Sequence, residues 1–170
     1  IRFNASTPSG NQRFAFVTDG TPAGTGPLVF PILGSQQVFE AVALNDRALL
    51  RTSGATTGAQ ELWLTDGTDG GTEQIYVGAS MIGDLVIAGE RIVFDEGDQL
   101  RSVSLDGAAD SLLPIEFGSA FNKLAQAKAI GPLAAFRIQD STTAPNQLLL
   151  TDGTPEGLAS FEPTVGFGAL

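Results

Sequence analysis

Short apolar runs separated by polar, glycine-rich breaks fill the chain. The clearest series begins at Val38–Leu44 (VFEAVAL), breaks at Asn45-Asp46 and returns as Arg47–Ser53. A small-residue loop over 54–59 leads to Glu61–Thr65, a turn over 66–71, and Thr72–Val77. Runs this short, rich in β-branched and aromatic residues and bounded by Asn, Asp and Gly, predict strands joined by hairpins. Four of them in succession predict one antiparallel four-stranded blade. The pattern returns over Asp84–Ala88, Arg91–Asp95, Gln99–Leu105 and Ser111–Phe117, with Gly89-Glu90 as the first turn. It returns again over Leu124–Ile130, Leu133–Ile138, Gln147–Thr151 and Leu158–Phe161, with Gly131-Pro132 as the first turn. Leu124–Ala129 (LAQAKA) has helical propensity, but its place in the repeat predicts a strand. Ahead of these units, Ile1–Ser6, Asn11–Gly20 and Gly26–Leu33 read as strands, with Pro27 and Pro31 at edge or exit positions.

One phrase punctuates the units. Thr65–Thr72 reads TDGTDGGT, Thr18–Thr25 reads TDGTPAGT, Thr151–Leu158 reads TDGTPEGL, and Leu105–Ala108 (LDGA) is a worn copy. The motif aspartates Asp19, Asp66, Asp106 and Asp152 recur at 47, 40 and 46 residues. The anchors Phe3, Leu50, Phe94 and Phe136 precede them by 16, 16, 12 and 16 residues. A period of roughly 40–50 residues built from short strands is that of propeller blades. The expected fold is therefore all-β: a β-propeller-like array of about four antiparallel four-stranded blades. The units span about 1–36, 37–80, 81–119 and 120–163 of a single domain over 1–170. The tail Thr164–Leu170 sits where a fifth unit would begin, and the first unit lacks its own first strand. Two arrangements fit: a four-bladed ring with its first blade completed by the C-terminal strand, or a slice of a longer array.

Composition narrows the function classes. The net charge is −10 and the pI about 4.2, which repels phosphate backbones and argues against nucleic acid as a partner. With no Cys, there is no disulfide framework, thiol nucleophile or thiolate metal site. With no His, Ser-His-Asp triads and His-based acid–base or metal chemistry are excluded. No apolar run reaches the roughly 18 residues of a membrane span. The chain opens at Ile1, inside a predicted strand, as a processed or partial sequence does.

The repeated phrase is turn chemistry. An Asp carboxylate accepts hydrogen bonds from backbone N–H groups two or three residues on, and the following Gly supplies positive φ. The expected turn residues are Asp19-Gly20, Asp66-Gly67, Asp106-Gly107 and Asp152-Gly153, with the Thr hydroxyls capping the returning strands. The second glycine of each phrase is expected in a further left-handed position. The alternative role is a Ca²⁺ site at one rim, with Asp19, Asp66, Asp69 and Asp152 as its carboxylates. Calcium takes six or more oxygens, and each repeat offers one regular Asp, so no cofactor is expected. Counting back from each Asp, Trp63 is matched by Phe16, Val103 and Leu149, and these positions read as core.

Glu61-Leu62-Trp63, Asp66-Gly67-Thr68 and Gly71-Thr72 resemble the ELWxxDGTxxGT repeat (hyalin-like) of large bacterial extracellular and surface-associated proteins. The copy at Asp19-Gly20-Thr21 keeps the second half, with Phe16 in place of Trp. The copy at Asp152-Gly153-Thr154 loses its last Thr to Leu158, and Asp106-Gly107 keeps two positions. The turn is also similar to the Asp-box hairpin of sialidase-like propellers. The resemblance implies a propeller-like fold and a place outside the bacterial cell, on its surface or in the periplasm. It implies no reaction.

Two functional readings follow. In the first, the protein is a non-catalytic interaction or scaffold module, an accessory subunit or a surface adhesin segment. Its partner is another protein or a larger surface assembly, with carbohydrate as a further class, met by loops 5–12, 54–60 and 139–146. In the second it is a sialidase-like propeller hydrolase or lyase. Tyr76 and the arginines Arg2, Arg51 and Arg137 are its available polar groups, and Asn4, Arg51, Asp95 and Arg137 occupy one repeat position that would encircle an axis. The sequence places no carboxylate pair for glycoside chemistry, so the non-enzymatic reading is the expectation.

Overall fold

Positive φ at Asn45, Gly89 and Gly131 closes the tight hairpins that start three successive sheets. Asn tolerates the left-handed region and Gly enters it without a Cβ clash, so each dipeptide reverses the chain in two residues. In the computed structural model the described residues are 16–18, 20–27, 37–54, 58–68, 70–97, 99–115, 123–139 and 147–161. They contain strands and turns and no helix.

The chain divides into two compact units, Ile1–Ser80 and Met81–Leu170. The first holds a two-stranded sheet, β1 (Phe16–Val17) with β2 (Gly26–Pro27). It also holds a four-stranded antiparallel sheet of β3 (Val38–Leu44), β4 (Arg47–Ser53), β5 (Gln60–Thr65) and β6 (Thr72–Val77), in sequential order. All of β5 is buried, on both faces, while β6 is largely exposed. That gradient suits a blade whose third strand lies deep and whose fourth is the outer edge.

The second unit holds two more such sheets. One is β7 (Ile82–Ala88), β8 (Arg91–Glu96), β9 (Gln99–Ser104) and β10 (Asp110–Leu113). The other is β11 (Lys123–Ile130), β12 (Leu133–Gln139), β13 (Gln147–Thr151) and β14 (Ala159–Phe161). They pack face to face around Val86, Val93, Leu100 and Leu113 from the first and Ala134, Phe136 and Leu149 from the second. The stretch with helical propensity is strand β11, because a helix there would forfeit the ladder to β12 that runs from Lys123 to Ile130.

Among the described residues, three four-stranded sheets and one two-stranded sheet stand where about four four-stranded blades were expected. Ile1–Ser6 and the tail Thr164–Leu170, on which ring closure depends, lie outside the described residues. The ladder also corrects one equivalence. Trp63 faces Leu50 and Leu149 faces Phe136, but the residue facing Phe94 is Arg101, not Val103. The β8–β9 connection, Gly97-Asp98, is six residues shorter than the equivalent link from Thr52 to Glu61, so counting from the aspartate overshoots by two.

Candidate functional site

Residues 66–71 join β5 to β6 and residues 152–158 join β13 to β14, and both turns are held by side-chain hydrogen bonds. At the first, Asp66 Oδ1 accepts the Thr68 backbone N–H and the Thr68 hydroxyl, each at 2.8 Å. Thr68 Oγ1 accepts from Gly71 N at 3.0 Å, and Thr72 Oγ1 donates to the Thr68 carbonyl at 2.6 Å. The one hydroxyl proton of Thr72 is spent there, so in the 2.7 Å contact between Thr65 and Thr72 the proton comes from Thr65. Thr65 Oγ1 in turn accepts from Gly67 N at 3.0 Å. Four side chains, Thr65, Asp66, Thr68 and Thr72, thereby satisfy one another and the turn backbone in one relay.

The copy around Thr18–Thr25 repeats the same relay: Thr18 with Thr25, Gly20 N on Thr18, Gly24 N on Thr21, and Thr25 on the Thr21 carbonyl. Asp19 itself, like Asp69, lies outside the described residues. At the last copy Asp152 Oδ1 accepts Thr154 N and Thr154 Oγ1 at 2.8 and 2.7 Å, and Gly153 N donates to Thr151. Leu158 replaces the final Thr and packs against the core between the two sheets of its unit, exchanging hydroxyl bonds for apolar contact.

The first glycines have positive φ: 92° at Gly20, 95° at Gly67, 69° at Gly107 and 88° at Gly153. The second glycines do not, contrary to expectation. Gly71 and Gly157 are needed for space, because a Cβ at either would collide with the carboxylate of Asp66 or Asp152.

The third copy is built differently. Val103 pairs with Asp110 as Thr65 pairs with Thr72, so Ser104 takes the ladder position of Asp66, and Asp106 sits two residues further into the turn. Its Oδ1 accepts from Ser104 Oγ and from Ala108 N. Gly107 N donates to the Ser104 carbonyl at 2.9 Å.

The three described motif aspartates, Asp66, Asp106 and Asp152, are held below the ordinary carboxylate range. For Asp66 the leading cause is the Thr68 backbone hydrogen bond, for Asp106 the Ser104 hydroxyl, and for Asp152 the Thr154 hydroxyl. Hydrogen bonds to the ionised form favour it. Among the described residues no three acidic, Cys or His side chains gather in a way that would hold a metal. In each of Asp66 and Asp152, Oδ1 is engaged by two turn donors.

A second polar constellation, which sequence reading missed, lies within the second unit. Arg91 reaches Ser102 Oγ with Nε and Nη2 at 2.9 and 2.8 Å and Ser111 Oγ at 3.2 Å. Ser102, fully buried, donates to the Gly153 carbonyl of the next sheet. The Arg91 stem also lies against Gly153, where a Cβ would stand 3.0 Å from it. Two sheets are thus joined through one Asp-Gly-Thr turn. A lone Arg at a strand start gave no signal of this, because its partners are 11, 20 and 62 residues away.

Of the predicted axial set, Asn4 lies outside the described residues. Arg51, Asp95 and Arg137 hold one ladder position, opposite Leu62, Leu100 and Leu148. Arg51 forms an ion pair with Glu40 of its own sheet at 3.1 Å, and the Asp95 carboxylate covers Gly83 as Asp66 covers Gly71. Trp63 is core, as its place predicts, and its indole N–H donates to the buried Glu61 carboxylate at 3.0 Å.

No protein family model matches the chain, and no curated protein does. Among solved structures the chain is similar to one from a structural and mechanistic study of two prolyl endopeptidases. The TM-score is 0.58 and the identity 14%, over 91% of this chain and 24% of that one. It is also similar to a chain of a nidogen/laminin complex, with a TM-score of 0.50 and 10% identity, over 85% of this chain and 54% of that one. The chain therefore spans about a quarter of the first of these proteins and about half of the second. At such identities the likeness concerns the fold, and with the sheets described above it makes this a β-propeller-like protein.

Proposed function

We propose that the protein is a non-catalytic interaction or scaffold module built from ELWxxDGT-type repeats, working at the surface of a bacterium, outside it or in its periplasm. The observation that carries this reading is the way the repeat uses its polar groups. The side chains that define the motif, Thr65, Asp66, Thr68 and Thr72, are consumed in one another's hydrogen bonds. A reactive site needs groups left over for a substrate, whereas a scaffold needs its groups spent on rigidity. What varies between units is the connection from the second strand to the third: residues 54–59, 97–98 and 140–146. Loops of differing length on a repeated frame are where a binding module carries recognition. The nidogen/laminin structure is a complex between proteins, which supports a protein as partner in this case too.

The test is chemical cross-linking and mass spectrometry of the protein in its source cells, with cell fractionation alongside. Cross-links from residues 54–59 or 139–146 to one stoichiometric partner outside the cytoplasm are the expected result. Replacement of 54–59 by a Gly/Ser loop should then release the partner without lowering the melting temperature. Turnover of a peptide or glycoside by the purified protein, lost on substitution of Arg51 or Arg137, would instead establish the hydrolase reading.

A further inference from the structure

An Asp-Gly dipeptide is open to rearrangement through its own side chain, because glycine leaves its amide nitrogen unshielded. That nitrogen attacks the aspartyl Cγ, and the N–Cγ bond forms as the carboxyl C–OH bond breaks. The hydroxyl leaves as water with the amide proton, and a succinimide ring closes. Water then adds to the former main-chain carbonyl and breaks its bond to nitrogen, so the chain continues through Cβ and Cγ as isoaspartate. Nothing is oxidised or reduced, and the composition is unchanged. Among the described residues the dipeptide occurs at Asp66-Gly67, Asp106-Gly107 and Asp152-Gly153. All three carboxyls are held below the ordinary range, so the direction of ionisation does not separate them.

Their geometry does separate them. The Gly67 N–H is held on Thr65 Oγ1 at 3.0 Å and the Gly153 N–H on Thr151 Oγ1 at 2.9 Å, and both threonines are buried. On the other side, Thr68 or Thr154 pins the aspartate Oδ1 with an N–H and a hydroxyl, and the carboxylate packs over Gly71 or Gly157. Attack would require the carboxyl to break both bonds and the nitrogen to give up a proton that is already held. Asp106-Gly107 is preceded by Leu105 where the others have Thr, and its fifth residue on is Ser111 where the others have Gly. The Gly107 N–H goes to the Ser104 carbonyl, and Asp106 Oδ1 to Ser104 Oγ and Ala108 N. Nucleophile and carboxyl thus both hang on Ser104, and an opening there loosens the two together. Asp106, Gly107 and Ala108 are exposed, whereas Gly153 is buried.

We propose that Asp106-Gly107 is a site of spontaneous covalent modification, where the chain rearranges to isoaspartate, and that the threonine relay guards Asp66-Gly67 and Asp152-Gly153 against the same reaction. The product carries one more methylene in the main chain between β9 and β10. It therefore disturbs the pairing of β10, whose Leu113 packs in the core between two sheets. It also bears a free α-carboxylate, the group on which an isoaspartyl methyltransferase acts.

The experiment is prolonged incubation of the intact chain near neutral pH in heavy-oxygen water, followed by digestion and electron-transfer mass spectrometry. Each pass through the succinimide installs a heavy oxygen, and the fragmentation distinguishes isoaspartate from aspartate. In the folded protein isoaspartate should form at Asp106 about tenfold faster than at Asp66 or Asp152, the factor by which one hydrogen bond shifts turn opening. In guanidinium chloride the three sites should converge, because each is then only an Asp-Gly dipeptide. Thr65→Val should raise the rate at Asp66 toward that of Asp106 and leave Asp152 unchanged. Thr65→Ser, which keeps the hydroxyl, should retain the protection, and circular dichroism melts would confirm that both variants fold. A rate at Asp106 no higher than at Asp66 and Asp152 in the folded wild-type protein overturns the inference, and that comparison needs no variant. A folded Thr65→Val protein whose Asp66 reacts as slowly as in the wild type overturns it as well.

Discussion

The Asp152 carboxylate fills the space in which a side chain on Gly157 would stand. The same holds for Asp66 over Gly71. The second glycine of the repeat is therefore a steric partner of the aspartate, and the two residues form one unit. Gly157→Ala should displace the carboxylate from Thr154 and destabilise the fold by about 1–2 kcal/mol through two lost turn hydrogen bonds. In the background of Asp152→Ala the same glycine change should cost little, and a double-mutant cycle by urea denaturation would measure that coupling.

Acid should loosen the turns in a defined window. Asp66, Asp106 and Asp152 are all depressed in the folded state, so the unfolded chain binds more protons on the acid side. Their contribution is fully present above the unfolded carboxyl value of about 3.9 and is lost as pH falls through the lower folded values. Stability should be flat with respect to these groups above about pH 5 and should decline below about pH 4. Thr68→Val with Thr154→Val removes two of the donors and should shrink that acid decline, which denaturation at a series of pH values would show.

The interface within the second unit should be sensitive at its centre. Phe136 is fully buried among residues of both sheets. Phe136→Ala should cost about 3–5 kcal/mol. Val77→Ala, on an exposed edge strand, should stay within about 0.5 kcal/mol. Thermal and chemical denaturation of the two variants side by side would test the contrast.

The Arg91 bridge should not tolerate lysine. Nε and Nη2 together engage Ser102, and a single ammonium cannot reproduce that fork. Ser102→Ala removes the donor to the buried Gly153 carbonyl and should cost about 1–3 kcal/mol. Amide hydrogen exchange in both Arg91→Lys and Ser102→Ala should quicken at Gly153, whose N–H is held by the Thr151 hydroxyl, before it quickens in the β5–β6 turn.

Much of the strand layout can be read directly from the chain. The runs of four to eight residues, the Asn45-Asp46, Gly89-Glu90 and Gly131-Pro132 turns and the return of the Asp-Gly phrase are local signals, and local signals carry hairpins. The third copy shows where such reading stops. The phrase at Asp106-Gly107 looks equivalent to Asp66-Gly67, but a connection shortened by six residues moves it two places along the ladder. Spacing along a chain cannot tell a shorter loop from a shifted register, because both change the same count. The distinction lies in which backbone groups pair.

Sequence alone determined the hairpins, because a hairpin is closed by residues adjacent in the chain and needs only turn chemistry and alternating apolar positions. It also determined that Asp66 and Asp152 bind their own turns, because donor and acceptor are two residues apart. Tertiary structure decided the rest. It set the Arg91–Ser102–Gly153 bridge, the burial of Leu100 against the exposure of Leu148, and the steric reason for Gly71 and Gly157. Each of these depends on what another segment brings to the same place, and packing between sheets is written in no single stretch of residues.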